Sequence, residues 1–265
     1  MASKVMPLVV IVGETGSGKS ALAVALAKKF NGEIICADSR TIYREMDIGT
    51  AKPTAKEQQS TKHHLIDIVG PTQTYNAAQF KIDANKAINE ISERHKLPIM
   101  VGGSGLYIDS VIFDYQFSAK NRERDPQNPR HLMARPDSVD TVTNLQQLRP
   151  NTLIIGLKLE KEVLEQRIKS RIEYMVEHGL VEEVKTLGEK YGWSSAPLNG
   201  IGYKSFGQYI RGECSFEEAK ARATVEHLQL AKRQRTWFKR NKYIHLVSNL
   251  GDAVALVKTF LNQSE

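Results

Sequence analysis

The chain has 265 residues, 41% of them hydrophobic and 25% charged, and carries a formal net charge of +7 at pH 7. That length holds one large α/β domain with a full core, and no apolar run approaches the ~18 residues of a membrane span. Cys36 and Cys214, its only cysteines, match no metal spacing; the expectation is a reducing compartment and no zinc.

The first element is an apolar strand, Pro7 to Val12, and Met1-Ala2-Ser3-Lys4 runs straight into it, so a cytoplasmic protein without a signal peptide is expected. Gly13-Glu14-Thr15-Gly16-Ser17-Gly18-Lys19-Ser20 follows, and Ala21 to Ala27 then reads as helix. Strand, glycine loop and helix are the context that a G-x-x-x-x-G-K-[ST] phosphate loop requires. The glycines let successive N–H groups point at phosphate oxygens, and the helix N-terminus adds partial positive charge. Lys19 would neutralise the outermost phosphates and the Ser20 hydroxyl would hold Mg²⁺. Strands are expected at Glu33–Cys36, His64–Val69 and Ile99–Val101, with a helix from Asn76 to His95 between the last two. Thr152 to Leu159 is the next strand. Helices follow from Glu160 to about Glu177 and from Val181 to Tyr191, interrupted at Gly179. Ser215 opens a helix that runs through Phe238, with Glu218 completing a capping box. Tyr243–Val247 closes the strands and Asp252–Leu261 the helices. The alternation predicts a P-loop NTPase-like α/β fold, a mostly parallel sheet flanked by helices, with a helical C-terminal part. Residues 117–150 are polar, carry four prolines and read as a reduced insertion.

The positive charge is clustered. Lys220, Arg222, Lys232, Arg233, Arg235, Lys239, Arg240 and Lys242 are opposed in that stretch only by Glu226, and a second basic stretch runs from Lys120 to Arg135. Such clusters suit a polyanion such as RNA, or simply form solvated helix faces.

A phosphate loop alone permits kinases, NTPases and GTPases. No apolar strand ends in the aspartate a Walker B site needs, and Asn241-Lys242-Tyr243-Ile244 fails the guanine-reading N-K-x-D at its fourth position. The candidate chemistry lies at Ala37-Asp38-Ser39-Arg40-Thr41, just past the second strand. Strand-end carboxylates beside a phosphate loop face the ligand crevice of an open α/β sheet. The plainer reading of Asp38 is a turn cap.

These motifs, taken in order, resemble the tRNA dimethylallyltransferases (tRNA isopentenyltransferases). The matching pieces are Ile11–Thr54, HHLIDI (His63–Ile68), VGGSGLYID (Val101–Asp109), DPQNPRHLMA (Asp125–Ala134), GLVEEV (Gly179–Val184), IGYKSFGQYIRGE (Ile201–Glu213) and AKRQRTWFKR (Ala231–Arg240), spread over almost the whole chain. The resemblance implies one prenyltransferase domain over 1–265, acting as a monomer. It would move the dimethylallyl group of dimethylallyl diphosphate onto the exocyclic amine of the adenine 3′ of the anticodon. It makes Asp38 the base, places the Ser104 hydroxyl near the reacting groups, and gives Gly13 to Ser20 and Mg²⁺ the diphosphate. Asp38, Ser39, Arg40 and Thr41 would contact the extruded adenosine. Arg130, His131, Leu132, Met133 and Ala134, then Asn199, Gly200, Ile201, Gly202, Tyr203 and Lys204, match segments that touch tRNA. So do Lys232, Arg233, Gln234, Arg235, Thr236, Trp237, Phe238 and Lys239, although helical spacing favours Trp237 as core over base platform. Tyr107, His63, His64 and Asp67 would be supports. Gly102-Gly103-Ser104-Gly105 also reads as a strand-to-helix turn with Ser104 as N-cap.

Two departures from the family pattern stand out. Only Val111 to Arg124 separates landmarks between which relatives carry a helical insertion that grips the anticodon stem-loop. The usual Thr-Arg before A-K-R-Q is His227-Leu228, removing an arginine expected at the diphosphate, for which Arg233 or Lys204 are replacements. The residues leave three other readings open: the same chemistry on a free adenine nucleotide, a P-loop small-molecule kinase, or an RNA-binding module without activity. A mononucleotide acceptor needs no extended cationic stripe, a kinase would not use dimethylallyl diphosphate, and an inactive module would not need Asp38, Lys19 and Ser20.

Overall fold

A computed structural model describes residues 5–117, 147–195 and 197–263. Six parallel strands form one sheet in the order β3-β2-β4-β1-β5-β6: β1 (Leu8–Val12), β2 (Gly32–Ala37), β3 (His63–His64), β4 (Leu97–Gly102), β5 (Thr152–Leu157) and β6 (Ile244–Val247). The five residues of β1 are buried throughout, as a central strand covered on both faces must be. One apolar layer joins β1, β2 and β4 to α3 (Ala77–Glu93) and α4 (Gly105–Ile112). The other packs the opposite face against α1 (Lys19–Lys29) and α9 (Leu250–Asn262). The remaining described helices are α2 (Ala55–Ser60), α5 (Lys161–Glu177), α6 (Leu180–Tyr191), α7 (Tyr203–Ile210) and α8 (Phe216–Lys239).

Local chemistry sets the helix ends. Ser215 accepts the Glu218 N–H while the Glu218 carboxylate accepts the Ser215 N–H, and Asn76 with Gln79 makes the same reciprocal cap on α3. Gly179, at φ +100°, turns the chain between α5 and α6. The expected strand at His64–Val69 is a correction: pairing stops at His64, because Leu65 and Asp67 adopt left-handed backbone. Val69 keeps only an isolated bridge to Tyr43. Helices α2 and α7 are additions to the expected elements.

The register decides where chemistry can sit. Val12 pairs with Gly102, and Gly102 with Ala37, so the carboxyl ends of β1, β4 and β2 are level. The phosphate loop, the Gly103-Ser104 turn and Asp38 therefore leave the sheet side by side. Strand β1 is also where the sheet order reverses, with β4 on one flank and β5 on the other. Ligands bind in the crevice beyond such a point. The expected insertion at 117–150 falls mostly on 118–146, outside the described residues.

Candidate active site

A cavity of about 910 Å³ opens over these strand ends, lined by Thr15, Lys19, Ser20, Asp38 to Thr41, Gly103 to Tyr107, Arg171, His227, Arg233, Gln234 and Trp237 among others. Its floor is the phosphate loop. Gly16 and Gly18 take φ of +80° and +94°, which side chains resist, and this curls the loop ahead of α1. The Lys19 ammonium donates to the Glu14 carbonyl at 3.2 Å. Desolvation, reinforced by the Arg171 charge and opposed by Asp38 and Glu14, brings the Lys19 pKa down to about 8.

Arg171 reaches this floor from α5, its Nη1 donating to Thr15 Oγ1 at 3.4 Å. Burial lowers its pKa while the Asp38 charge works the other way. One turn earlier, Arg167 donates to the Ser17 carbonyl at 3.4 Å. Two cations of α5 thus sit against the phosphate loop, and Arg171 lines the cavity together with Lys19, positive charge suited to a di-anion. Neither arginine was among the expected site residues. The signal for them is their i,i+4 spacing, which puts both on one face of α5.

The opposite wall is Asp38 and its turn. Asp38 Oδ1 accepts the Arg40 N–H at 2.8 Å, so the turn-cap reading holds for one oxygen while the residue still lines the cavity. Ser104 is the N-cap residue of α4, as the strand-to-helix reading expects, but its side chain makes no cap hydrogen bond. Its Oγ accepts the Ser39 N–H at 2.9 Å and donates to Ser39 Oγ at 3.3 Å. Thr41 Oγ1 is buried beside them without a protein partner, and such groups normally meet a ligand or water.

The expected RNA-contacting residues divide into two sets. Lys232, Arg233, Thr236 and Lys239 are exposed along α8, Asn199 and Lys204 are exposed nearby, and Arg40 is exposed at the cavity mouth. Several of the others turn inward. Phe238 and Tyr203 are core residues, and Gly200 and Gly202 are buried. Tyr203 donates to Glu183 Oε1 at 2.6 Å, and the Gly202 N–H donates to Glu226 at 2.9 Å. Arg235 is exposed like the first set but ion-paired with Glu14. Gln234 is buried, and its amide is used within the protein. Trp237 is half-buried against Asp109, to which its indole N–H donates at 2.8 Å, with Arg240 stacked 3.8 Å above the ring. Ile201 lines the cavity. Arg130, His131, Leu132, Met133 and Ala134 lie outside the described residues.

The expected supports have structural partners. Tyr107 stacks on Phe80 with ring centroids 4.4 Å apart, His64 pairs with Glu33 at 2.7 Å, His63 bonds the Thr61 carbonyl and Asp67 pairs with Lys52. Glu183 of the GLVEEV motif accepts the N–H groups of Asp47, Ile48 and Gly49 at 2.9, 2.8 and 3.0 Å. It thereby pins the segment whose Gly49, Thr50 and Ala51 line the cavity. At the anomalous His227, Nδ1 bonds the Ala223 carbonyl at 2.8 Å, so it carries the proton, and burial lowers the pKa.

The family model described as IPP transferase matches residues 41–150 and 136–241. A tRNA dimethylallyltransferase of Picosynechococcus is 39% identical over 92% of this chain and 94% of its own. The tRNA delta(2)-isopentenylpyrophosphate transferase of Staphylococcus epidermidis, 34% identical, superposes with a TM-score of 0.82 over 98% of this chain and all of that one. A eukaryotic dimethylallyltransferase acting on tRNA, 25% identical, also gives 0.82 over 98% of this chain and 80% of its own. Among the described residues no helix is long and apolar enough to cross a membrane. With a family match across most of its length and relatives this similar from end to end, the chain belongs to the IPP transferase family.

Proposed function

We propose that this protein transfers the dimethylallyl group of dimethylallyl diphosphate to the exocyclic amine of the adenine 3′ of the anticodon in tRNA, releasing diphosphate. One observation carries the reading: a carboxylate, Asp38, and two cations, Lys19 and Arg171, line the same cavity at the strand ends. An adenine amine is a weak nucleophile because its lone pair is delocalised into the ring, so its attack on the allylic carbon needs a base. The departing diphosphate needs positive charge. In this reading the N–C bond forms as the C–O bond breaks, its electron pair leaves with the diphosphate, and the amine proton passes to Asp38. Thr41 orients the adenine edge, while Ser104, bonded to Ser39, holds the turn that presents Asp38.

Arg171 takes the place at the diphosphate that the missing arginine at Leu228 was expected to fill, with Arg233 also on the cavity wall. Among the described residues no group of three or more His, Cys, Asp or Glu side chains is placed to hold a metal. Ser20 lines the cavity beside Lys19, and this fits Mg²⁺, because the ion keeps waters and substrate phosphates as ligands and asks the protein for one or two oxygens. Ser20 would supply one, and the bound ion would neutralise charge on the leaving diphosphate.

RNA as acceptor is supported by the exposed Lys232, Arg233 and Lys239 beside the cavity and by the names of the relatives. Incubation with labelled dimethylallyl diphosphate and either tRNA or AMP, followed by mass analysis of the nucleosides, tests the reading. Label on one adenosine of tRNA is expected. Label on AMP alone would replace the acceptor, and phosphate transfer from ATP would replace the reaction.

A further inference from the structure

Gln234 sits midway along the basic stretch of α8, yet its side chain points away from solvent. Its Oε1 accepts the Thr15 N–H of the phosphate loop at 2.7 Å, and its Nε2 donates to the Gly103 carbonyl at 3.1 Å. One buried amide therefore joins the loop after β1 to the turn after β4, both donors and acceptors in their preferred roles. The neighbouring Arg235 ties the same loop through Glu14, and Trp237 ties the same helix to Asp109 on α4. The fit is close. A Cβ on Gly103 would lie 2.2 Å from Gln234 Nε2, and one on Gly105 2.2 Å from the Trp237 ring. The Thr15 N–H is committed to this bond, as the Ser17 N–H is to the Glu14 carbonyl, so neither is offered to an anion.

We propose that Gln234 is a positioning residue for transfer, holding the diphosphate cradle and the Ser104–Asp38 wall at a fixed separation from the body of α8. The proposal rests on the prenyl-transfer reading, because its consequence is the alignment of attacking amine and departing diphosphate. A misplacement of about 1 Å between reacting groups can cost about a hundredfold in rate.

The test uses the full chain with dimethylallyl diphosphate and a tRNA anticodon stem-loop. Gln234→Leu is expected to lower kcat about a hundredfold, leave stem-loop affinity within about twofold, and speed hydrogen exchange at the Thr15 amide. Gly103→Ala, whose new methyl displaces the amide, is expected to reproduce the kcat loss. The double variant should then be no worse than either single one, the mark of one shared interaction. Should Gln234→Leu not fold, Gln234→Glu serves, since it retains an acceptor for Thr15 but no donor for Gly103, and it too should lose kcat. A wild-type kcat in the folded variants overturns the proposal. So does weakened stem-loop binding at unchanged kcat, which would make Gln234 an RNA contact, and so do losses that multiply in the double variant. Thr15 exchange is read without turnover. Absence of transfer in the unaltered protein would therefore overturn the prenyl-transfer reading, while unchanged Thr15 exchange in Gln234→Leu would overturn the clamp.

Discussion

Ser104 Oγ and the backbone N–H of Ser39 lie 2.9 Å apart, a hydrogen bond that ties the turn after β4 to the turn carrying Asp38. The Ser104 hydroxyl is spent on this junction and not on capping α4. Removing it should loosen the wall that presents the base. Ser104→Ala is expected to lower kcat about tenfold, the worth of one or two hydrogen bonds, while Ser104→Thr keeps the hydroxyl and most of the activity. Asp38→Asn should cost more, about 10²–10⁴ in rate, because an amide does not accept the proton. Steady-state transfer assays on the three variants decide the ranking, and near-normal turnover in Asp38→Asn would remove Asp38 from the base role.

Lys19 gives the site a pH dependence with a definite sign. Its pKa of about 8 lies below the ordinary lysine value because the ammonium is desolvated. Below that pH the side chain is charged and attracts the diphosphate. As pH rises through about 8 the unliganded protein loses this proton, so affinity for dimethylallyl diphosphate should fall, by up to about tenfold per pH unit. Titration calorimetry from about pH 7 to about pH 10 measures the slope. Lys19→Ala should bind weakly at every pH and lose this dependence. If wild type and variant show the same profile, Lys19 is not the group that titrates.

Arg171 belongs to no local motif, and its i,i+4 spacing from Arg167 is the one signal it leaves in the sequence. Its partner Thr15 is brought to it only when α5 packs beside the loop. The phosphate loop, by contrast, is read from consecutive residues, since strand, glycines and helix are all local. The same distinction explains α8. Its basic residues suggested an RNA face along the whole segment, but Ala231, Gln234 and Phe238 follow the i, i+3, i+7 spacing of an inward stripe and are buried. That spacing was the available signal for Gln234. The strand expected at His64–Val69 failed for a different reason. Its short apolar run, Leu65-Ile66 and Ile68-Val69, imitates a buried strand, while left-handed Leu65 and Asp67 and the ion pair of Asp67 with Lys52 make it a turn. Helix α7 lacks a strong local signal, with Gly202 at its N-cap and Gly207 inside it, and its stability comes from burying Tyr203 and Phe206.

The geometry of Arg171 predicts a test against the family pattern. Arg171→Lys keeps a charge but loses the planar fork that meets two phosphate oxygens at once. We expect Arg171→Ala to weaken dimethylallyl diphosphate binding and to lower kcat/KM by about 10²–10³, comparable to removing one oxyanion donor. Arg171→Lys should recover part of this. The variant Leu228→Arg, which supplies the arginine expected from the resemblance, should leave Arg171→Ala largely unrescued if Arg171 is the principal ligand. Full rescue would instead make the two positions interchangeable and return the diphosphate to α8.

RNA affinity should rest on the exposed cations of α8. Lys232, Arg233 and Lys239 are all exposed, whereas Arg235 is held by Glu14 and Gln234 is buried. Replacing Lys232, Arg233 and Lys239 by Ala should weaken anticodon stem-loop binding and flatten its salt dependence. Each lost phosphate contact lowers the log–log slope by roughly 0.7–0.9. Arg233 also lines the cavity, so the pair Lys232→Ala and Lys239→Ala separates the two functions. The pair should reduce the salt slope by roughly 1.4–1.8 with dimethylallyl diphosphate binding unchanged, and adding Arg233→Ala should then weaken diphosphate as well. Fluorescence titrations at several salt concentrations measure both quantities. An unaltered slope in the triple variant would make these cations a solvated helix face, and a free nucleotide would become the better candidate for the acceptor.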